Sequence, residues 1–300
     1  MPSDASPEAP RAAAPAVWRF EAIGTTWEIE TTVAPPAATR RDVEACIDAF
    51  DRTWSRFRDD SLVSALAERG GDVPAPPDAA DMLEAYAALS AATDGAVNPL
   101  VGASLEQLGY DAAYALVPSG PPVAAPAGWE DTLRVRQGRL ELWAPAVIDV
   151  GALGKGRLVD LVLDVVARDI PGSVVVDAGG DIAVRGAPVR IGLEHPYDPR
   201  RAIGVVEVQD AALCASAVNR RAWGDGLHHV LDARTGHPVR TVAATWAVAR
   251  TAMRADAVAT ALFFDGAERL AAEWDAQWVR MLTDGRVEYS PGSQAELFTS

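Results

Sequence analysis

Cysteine is scarce in this chain. Cys46 and Cys214 are its two cysteines, too far apart to form metal-ligand spacing and too few for a disulfide framework. Both are expected as small buried apolar side chains. Long apolar runs are lacking too: no stretch reaches the roughly 18 uninterrupted apolar residues of a membrane helix. The first ten residues, Met1-Pro-Ser-Asp-Ala-Ser-Pro-Glu-Ala-Pro, have neither a basic n-region nor an apolar h-region. The sequence as given is therefore expected to be soluble and cytoplasmic, with no membrane segment. Positive charge is also short, with 27 Lys and Arg against 42 Asp and Glu, a formal net charge of −15. Nucleic acid is excluded as a partner, because its phosphates need a dense cationic footprint. Any anionic ligand must be held by a local cation or a metal.

What is present is enough apolar residue, 49% of 300, to bury a sizeable core. Residues 1–15 are Pro/Ala-rich and expected to be a disordered tail. A β segment, Trp18 to Val33, breaks at Gly24-Thr25-Thr26. A helix follows with Thr39 as N-cap and Val43, Ile47, Phe50, Trp54 and Phe57 on one face. After a Pro-rich loop, Gly70 to Asp78, comes a helix carrying Leu83, Tyr86 and Leu89, ending by Gly95. Residues 117–128 read as a loop, and Leu133 to Trp143 as a hairpin turning at Gln137-Gly138. A strand, Ala146 to Val150, leads through a glycine-rich turn into a helix, Arg157 to Arg168, that buries Leu158, Leu161, Val162 and Val165. Strands over 173–178, 181–185, 189–194 and 202–208 read as one antiparallel run. A late helix, Met253 to Phe264, precedes a hairpin at Asp284-Gly285. Strands in runs with helices between them predict an α+β fold: a single domain over 16–292, with a mixed, largely antiparallel sheet, flanking helices and a tail over 293–300.

Four clusters are candidates for chemistry. Asp149-Val-Gly-Ala-Leu-Gly-Lys155-Gly-Arg joins strand to helix, and its backbone N–H groups with Lys155 suit a phosphate. It equally suits a tight turn with a solvated lysine, and it lacks Walker A spacing. Asp256 and Thr260, four apart, share a helical face and offer oxygen ligands to a hard cation; a dipole-favoured carboxylate reads the same way. His228, His229 and His237 crowd one hairpin segment. Adjacent histidines diverge on a strand, so a single histidine base with Asp232 beside it is more economical than a zinc site. Asp177-Ala-Gly-Gly-Asp181 is a tight turn whose glycines admit either a ligand or a φ > 0 backbone.

Together, in their order along the chain, these segments resemble the ApbE family of FAD:protein FMN transferases, from about Phe20 to Phe264. The matching segments also include Ala-Ile-Gly-Thr-Thr-Trp-Glu (22–28), Ser-Arg-Phe-Arg-Asp-Asp-Ser-Leu-Val-Ser (55–64) and Asn98-Pro-Leu-Val with Leu108-Gly-Tyr-Asp. The resemblance implies Mg²⁺-dependent transfer of FMN from FAD to a Thr or Ser hydroxyl of an acceptor flavoprotein, releasing AMP. By position it implies Mg²⁺ at Asp256, Thr260 and the Ala152 carbonyl. Lys155 would meet the FAD pyrophosphate and act in catalysis, with Asp149 near the nucleotide. Ile23, Phe57, Leu108, Gly109 and Tyr110 would line the flavin or adenine pocket, and His229 would be the general base and touch the ligand. Hydrolysis of FAD to FMN and AMP, or FAD binding without chemistry, are the alternatives. The chain departs from the family at Ile23, where Met is common, and at Ala215-Ser-Ala-Val-Asn219-Arg220, where a Gly and a Tyr are lost.

Overall fold

The computed structural model describes residues 14–298. Most of the expected tail over 1–15 thus lies outside the described residues. Eight strands form one antiparallel sheet in the order Ala16–Ala22, Thr25–Thr31, Val174–Ala178, Asp181–Arg185, Ala211–Ala217, Val242–Ala249, Gln277–Leu282 and Val287–Tyr289. The fold is α+β, as the segregation of strands and helices predicts.

One face of the sheet is covered by helices. α1 (Ala37–Trp54) buries Val43, Ile47 and Trp54 at helical spacing. α2 (Leu62–Arg69), which periodicity did not separate from its loops, follows with Ser61 as N-cap, its side chain accepting from Ser64 N–H. α3 (Ala79–Ala92) buries Met82, Tyr86 and Leu89, and its chain direction changes at Gly95, φ +80°. α4 (Gly102–Gln107) is short. α5 (Gly154–Asp169) and α6 (Ala252–Ala261) lie against each other and against the sheet, and α7 (Ala267–Glu273) packs on α3 and α6. Ala252, Ala255, Ala257, Ala259 and Ala261 are fully buried. Such small side chains let α6 approach the sheet and α5 closely.

The opposite face carries a second core around Leu193, Val206, Leu213, Trp246 and Val279. A three-stranded sheet closes it, formed by Val189–His195, Asp198–Val208 and Glu296–Leu297. The expected single run from 173 to 208 is therefore split between two sheets, since alternation reports a strand's two faces and not its partners. Glu296–Leu297 lies within the segment expected as a C-terminal tail.

Other expectations need correction. Ala146 to Val150 forms no strand: Asp149 N–H donates to Pro99 O instead. Gly71–Pro74, expected as loop, pairs with Arg139–Leu142 beside the Leu133–Arg136 hairpin. The turn of that hairpin does sit at Gln137-Gly138, both at positive φ. Thr39 is not the cap of α1; Pro36 is, and the buried Thr39 hydroxyl donates to Asp169 Oδ2 at 2.7 Å. Phe57 lies beyond the end of α1. α5 begins three residues earlier than the pattern suggested, which puts Lys155 in its first turn. Leu161 and Val165 are half-buried, while Val159 and Val166 are buried. Cys214 is buried but Cys46 only half-buried.

Candidate functional site

A cavity of about 810 Å³ opens where the turn before α5, the Asp256–Thr260 face of α6, the Gly179 turn and the segments at 55–58 and 215–231 converge. Of the residues singled out from sequence, Ile23, Phe57, Tyr110, Asp149, Ala152, Lys155, His229, Asp256 and Thr260 all line it. Leu108 and Gly109 do not. Leu108 is buried and its carbonyl accepts from Trp223 Nε1 at 2.9 Å. Gly109, φ +93°, has Val117 backbone 2.4 Å from where a Cβ would stand. Both residues hold Tyr110 in place rather than line the cavity.

The Ile23-Gly24 turn joins the first two strands with both residues at positive φ, 45° and 74°. A β-branched residue there is strained, at about 1–3 kcal/mol, and this strained turn is one wall of the cavity. On the other side Phe57, Tyr110 and Tyr114 form an aromatic group. Phe57 stacks on Tyr114 at 5.2 Å, and Tyr110 meets Phe57 edge-on at 5.3 Å.

Charge inside the cavity is arranged in pairs. Arg56 is buried; its Nε donates to Asp149 Oδ2 at 2.6 Å and its Nη1 to Tyr110 O at 2.8 Å. The guanidinium lies 4.2 Å from the Phe57 ring centroid. Asp149 Oδ1 accepts from Gly151 N–H at 2.7 Å. Lys155, the sole lysine of the chain, sets its Nζ 2.8 Å from Asp181 Oδ2 and donates to Ala178 O at 3.1 Å. Burial opposes the Lys155 charge, but the Asp181 and Asp256 carboxylates outweigh it and raise the pKa. Arg221 Nη1 donates to Tyr110 Oη at 2.9 Å.

Asp256 is different. It is buried, its Oδ2 accepts from Gly156 N–H at 2.9 Å, and no Lys or Arg among the described residues pairs with it. Burial, then the neighbouring Asp181, pushes its pKa well above the usual carboxylate range. A buried carboxylate with a free oxygen and no cation is the arrangement a hard cation relieves. Thr260, one helical turn on, and Ala152 line the same cavity. The donor set is all oxygen and has one charge, which fits Mg²⁺ when phosphate oxygens or water complete the shell.

The two adjacent histidines differ in their surroundings. His228 is buried: Val230 N–H donates to its Nδ1 at 3.3 Å, so Nε2 carries the proton and donates to Val239 O at 2.8 Å. His229 lines the cavity, with Nδ1 buried and lacking a hydrogen-bond partner. Burial, then the charge of Arg221, lowers its pKa to about 3, so at pH 7 it is neutral and, with the cavity empty, a weak base. Asp232 is not its partner, contrary to expectation. That carboxylate is taken by Arg234, at 2.9 Å and 2.7 Å.

A model of the ApbE family matches residues 23–281. The chain belongs to the ApbE family. Among its relatives, an FAD:protein FMN transferase of Rhodobacter capsulatus is 29% identical over 93% of this chain, which spans 57% of that relative's length. The protein of the same name from Treponema pallidum is 28% identical, over 83% of this chain and 78% of its own length. The fold matches the ApbE protein of Thermotoga maritima at a TM-score of 0.79, with 22% identity over 92% of this chain and 97% of that one. The flavin transferase ApbE of Vibrio cholerae matches at 0.75, with 21% identity and the same coverage. Within this ApbE fold, sequence reasoning had not assigned Arg56, Asp181 or Arg221 to the site. Arg56 and Asp181 lie inside the motifs that carried the resemblance, but their partners are far away in sequence. Among the described residues, no helix is long and apolar enough to cross a membrane.

Proposed function

We propose that the chain transfers FMN from FAD to a Thr or Ser hydroxyl of an acceptor protein and releases AMP. The observation that carries this reading is Asp256, a buried carboxylate without a cation. It shares one cavity with Lys155 and an aromatic wall, which is a place for a metal-bound pyrophosphate joined to two flat rings.

Asp256, Thr260 and the Ala152 carbonyl would hold Mg²⁺, which when bound neutralises pyrophosphate oxygens as charge develops on them. The residues of the chain supply the rest. Lys155, fixed by Asp181, offers a point charge to a phosphate oxygen. Phe57 and Tyr110 present ring faces and edges to a planar group. Asp149, oriented by Arg56 and Gly151, keeps acceptor capacity for a ligand N–H. His229 takes the proton of the acceptor hydroxyl at a ring nitrogen as the oxygen bonds to phosphorus. A bound phosphate's negative charge would lift the pKa of His229 toward a useful range.

Incubation with FAD, Mg²⁺ and a candidate acceptor domain tests the reading. An FMN-sized mass gain on the acceptor with free AMP supports transfer. Free FMN and AMP without a mass gain would make the chain an FAD pyrophosphatase, and FAD bound without turnover a flavin-binding protein.

A further inference from the structure

The cation site proposed above draws on two elements: Ala152 stands just before α5, while Asp256 and Thr260 stand on α6. Its geometry therefore depends on how α5 and α6 are held together. The two helices are tied by a reciprocal exchange of carboxylates. Asp256 of α6 reaches the first turn of α5, accepting from Gly156 N–H at 2.9 Å. Asp160 of α5 reaches the first turn of α6, where Oδ1 accepts from Ala252 N–H at 2.7 Å and Oδ2 from Met253 N–H at 2.9 Å. Each helix thus satisfies N–H groups that the other leaves without an intrahelical partner. The contact is close as well: a Cβ on Gly156 would stand 2.2 Å from Ala252 O.

We infer that Asp160 is a positioning residue for the cation site. It acts through the first turn of α6, fixing where Asp256 and Thr260 stand relative to Ala152 and Lys155. Asp160 does not line the cavity, so its effect on a bound ion must pass through α6. An ordinary helix cap is already present at the same end, because Thr251 Oγ1 accepts from Arg254 N–H at 3.3 Å. Thr251 caps α6 alone, whereas Asp160 joins α6 to the element that carries the other ligand. That difference separates registration from simple stability.

The inference rests on the Mg²⁺ reading, and the test distinguishes the two. Mn²⁺ binding would be measured by calorimetry and by the loss of its free-ion electron paramagnetic resonance signal. Asp160→Asn keeps the size but replaces one acceptor oxygen by an amide that faces an N–H donor. It should weaken Mn²⁺ binding by about tenfold or more, the usual effect of removing a residue that orients a ligand. Thr251→Ala should lower the melting temperature yet leave Mn²⁺ affinity within about twofold. Wild-type affinity in folded Asp160→Asn, or equal weakening in Thr251→Ala, would overturn the inference. Absence of Mn²⁺ binding by the wild type would sink the metal reading and this inference with it. Should Asp160→Asn fail to fold, hydrogen exchange of the wild type decides. Mn²⁺ should slow exchange at Ala252 and Met253 at least about tenfold, and unchanged exchange there would refute the coupling.

Discussion

Gly156→Ala is a small change that should disturb the candidate site from behind, because Gly156 itself does not line the cavity. The added Cβ would lie 2.2 Å from Ala252 O, 2.6 Å from Ala252 C and 2.7 Å from Asp256 Cβ. Real Cβ atoms essentially never approach a heavy atom closer than 3.0 Å, so α5 and α6 must separate by at least about 0.8 Å at the carbonyl. Neither neighbour can rotate away, because one is backbone and the other is the first side-chain carbon of a buried residue. Overpacking of this kind typically costs about 1–3 kcal/mol. The separation also carries Asp256 away from Ala152 and Lys155, and a misplacement of about 1 Å can cost on the order of 100-fold in rate. The expected outcome is a folded protein with a lowered melting temperature and a flavinylation rate reduced out of proportion to it. Flavinylation would be followed by the mass of the acceptor at saturating FAD, at a temperature well below the transition. A Gly156→Ala protein with wild-type rate and melting temperature would refute the claim that helix separation sets the site.

Four further outcomes follow from the same geometry. His229→Ala should lower flavinylation at least about tenfold with little change in FAD affinity; a large loss of affinity in calorimetry would make His229 a binding residue. His228→Ala should act on stability instead, since it removes two buried hydrogen bonds at about 1 kcal/mol each, and denaturant titration would expose an unchanged midpoint. Lys155→Arg should impair FAD binding despite conserving charge, because the Asp181 carboxylate is fully buried against an ammonium-sized partner; equal FAD affinities would contradict this. For pH, the folded His229 pKa of about 3 lies below its ordinary 6.5, so the unfolded chain takes up the proton first and stability falls as pH drops below 6.5. The loss by pH 5 is about 2 kcal/mol. Asp160, raised by burial to about 6, works in the opposite direction. The readout is therefore the difference between wild type and His229→Asn, and parallel stability curves for the two would count against the shift.

Helices with one wet face were legible in the sequence, because period alone places Val43, Ile47 and Trp54 together. Residues on the cavity wall were found largely through motif order, since the spacing of Asp256 and Thr260 suits an ordinary helix face equally well and nothing local marks Ala152. Pairings between residues distant in sequence were not legible. Arg56 reads as a surface arginine until Asp149, 93 positions away, is brought to it. Asp181 reads as a turn residue until Lys155 closes on it. Asp160 reads as part of the polar face of α5, and its role depends on the first turn of a helix 92 residues later. The expected strand at 146–150 failed for the related reason that apolar residues bounded by turns are also what a buried extended connection looks like. The Asp232 expectation failed because a nearer cation, Arg234, takes the carboxylate.

The distribution of cations explains how so acidic a chain could receive an anionic ligand. Of the cavity's arginines, Arg56 is paired with Asp149, Arg58 with Asp51 and Asp60, and Arg220 with Glu194, while Arg221 is held by a hydrogen bond to Tyr110 Oη. Lys155 sits in the first turn of α5, where the positive end of the helix dipole disfavours a cation. Asp181 offsets that cost, and the Lys155 side chain, 26% exposed, lines the cavity. The result is a compact point charge at the start of α5, while Asp256 on the opposing helix has no Lys or Arg partner among the described residues. A ligand that brings a divalent metal and a pyrophosphate together would satisfy both groups at once. Pyrophosphate alone would add negative charge beside the Asp181 and Asp256 carboxylates, and metal alone would lack the phosphate oxygens that complete its shell. On this arrangement metal and FAD should bind with positive coupling, and by linkage each should raise the affinity for the other by the same factor. Calorimetry of FAD with and without Mg²⁺, and of Mg²⁺ with and without FAD, measures both arms; identical FAD affinities in the two conditions would break the electrostatic argument.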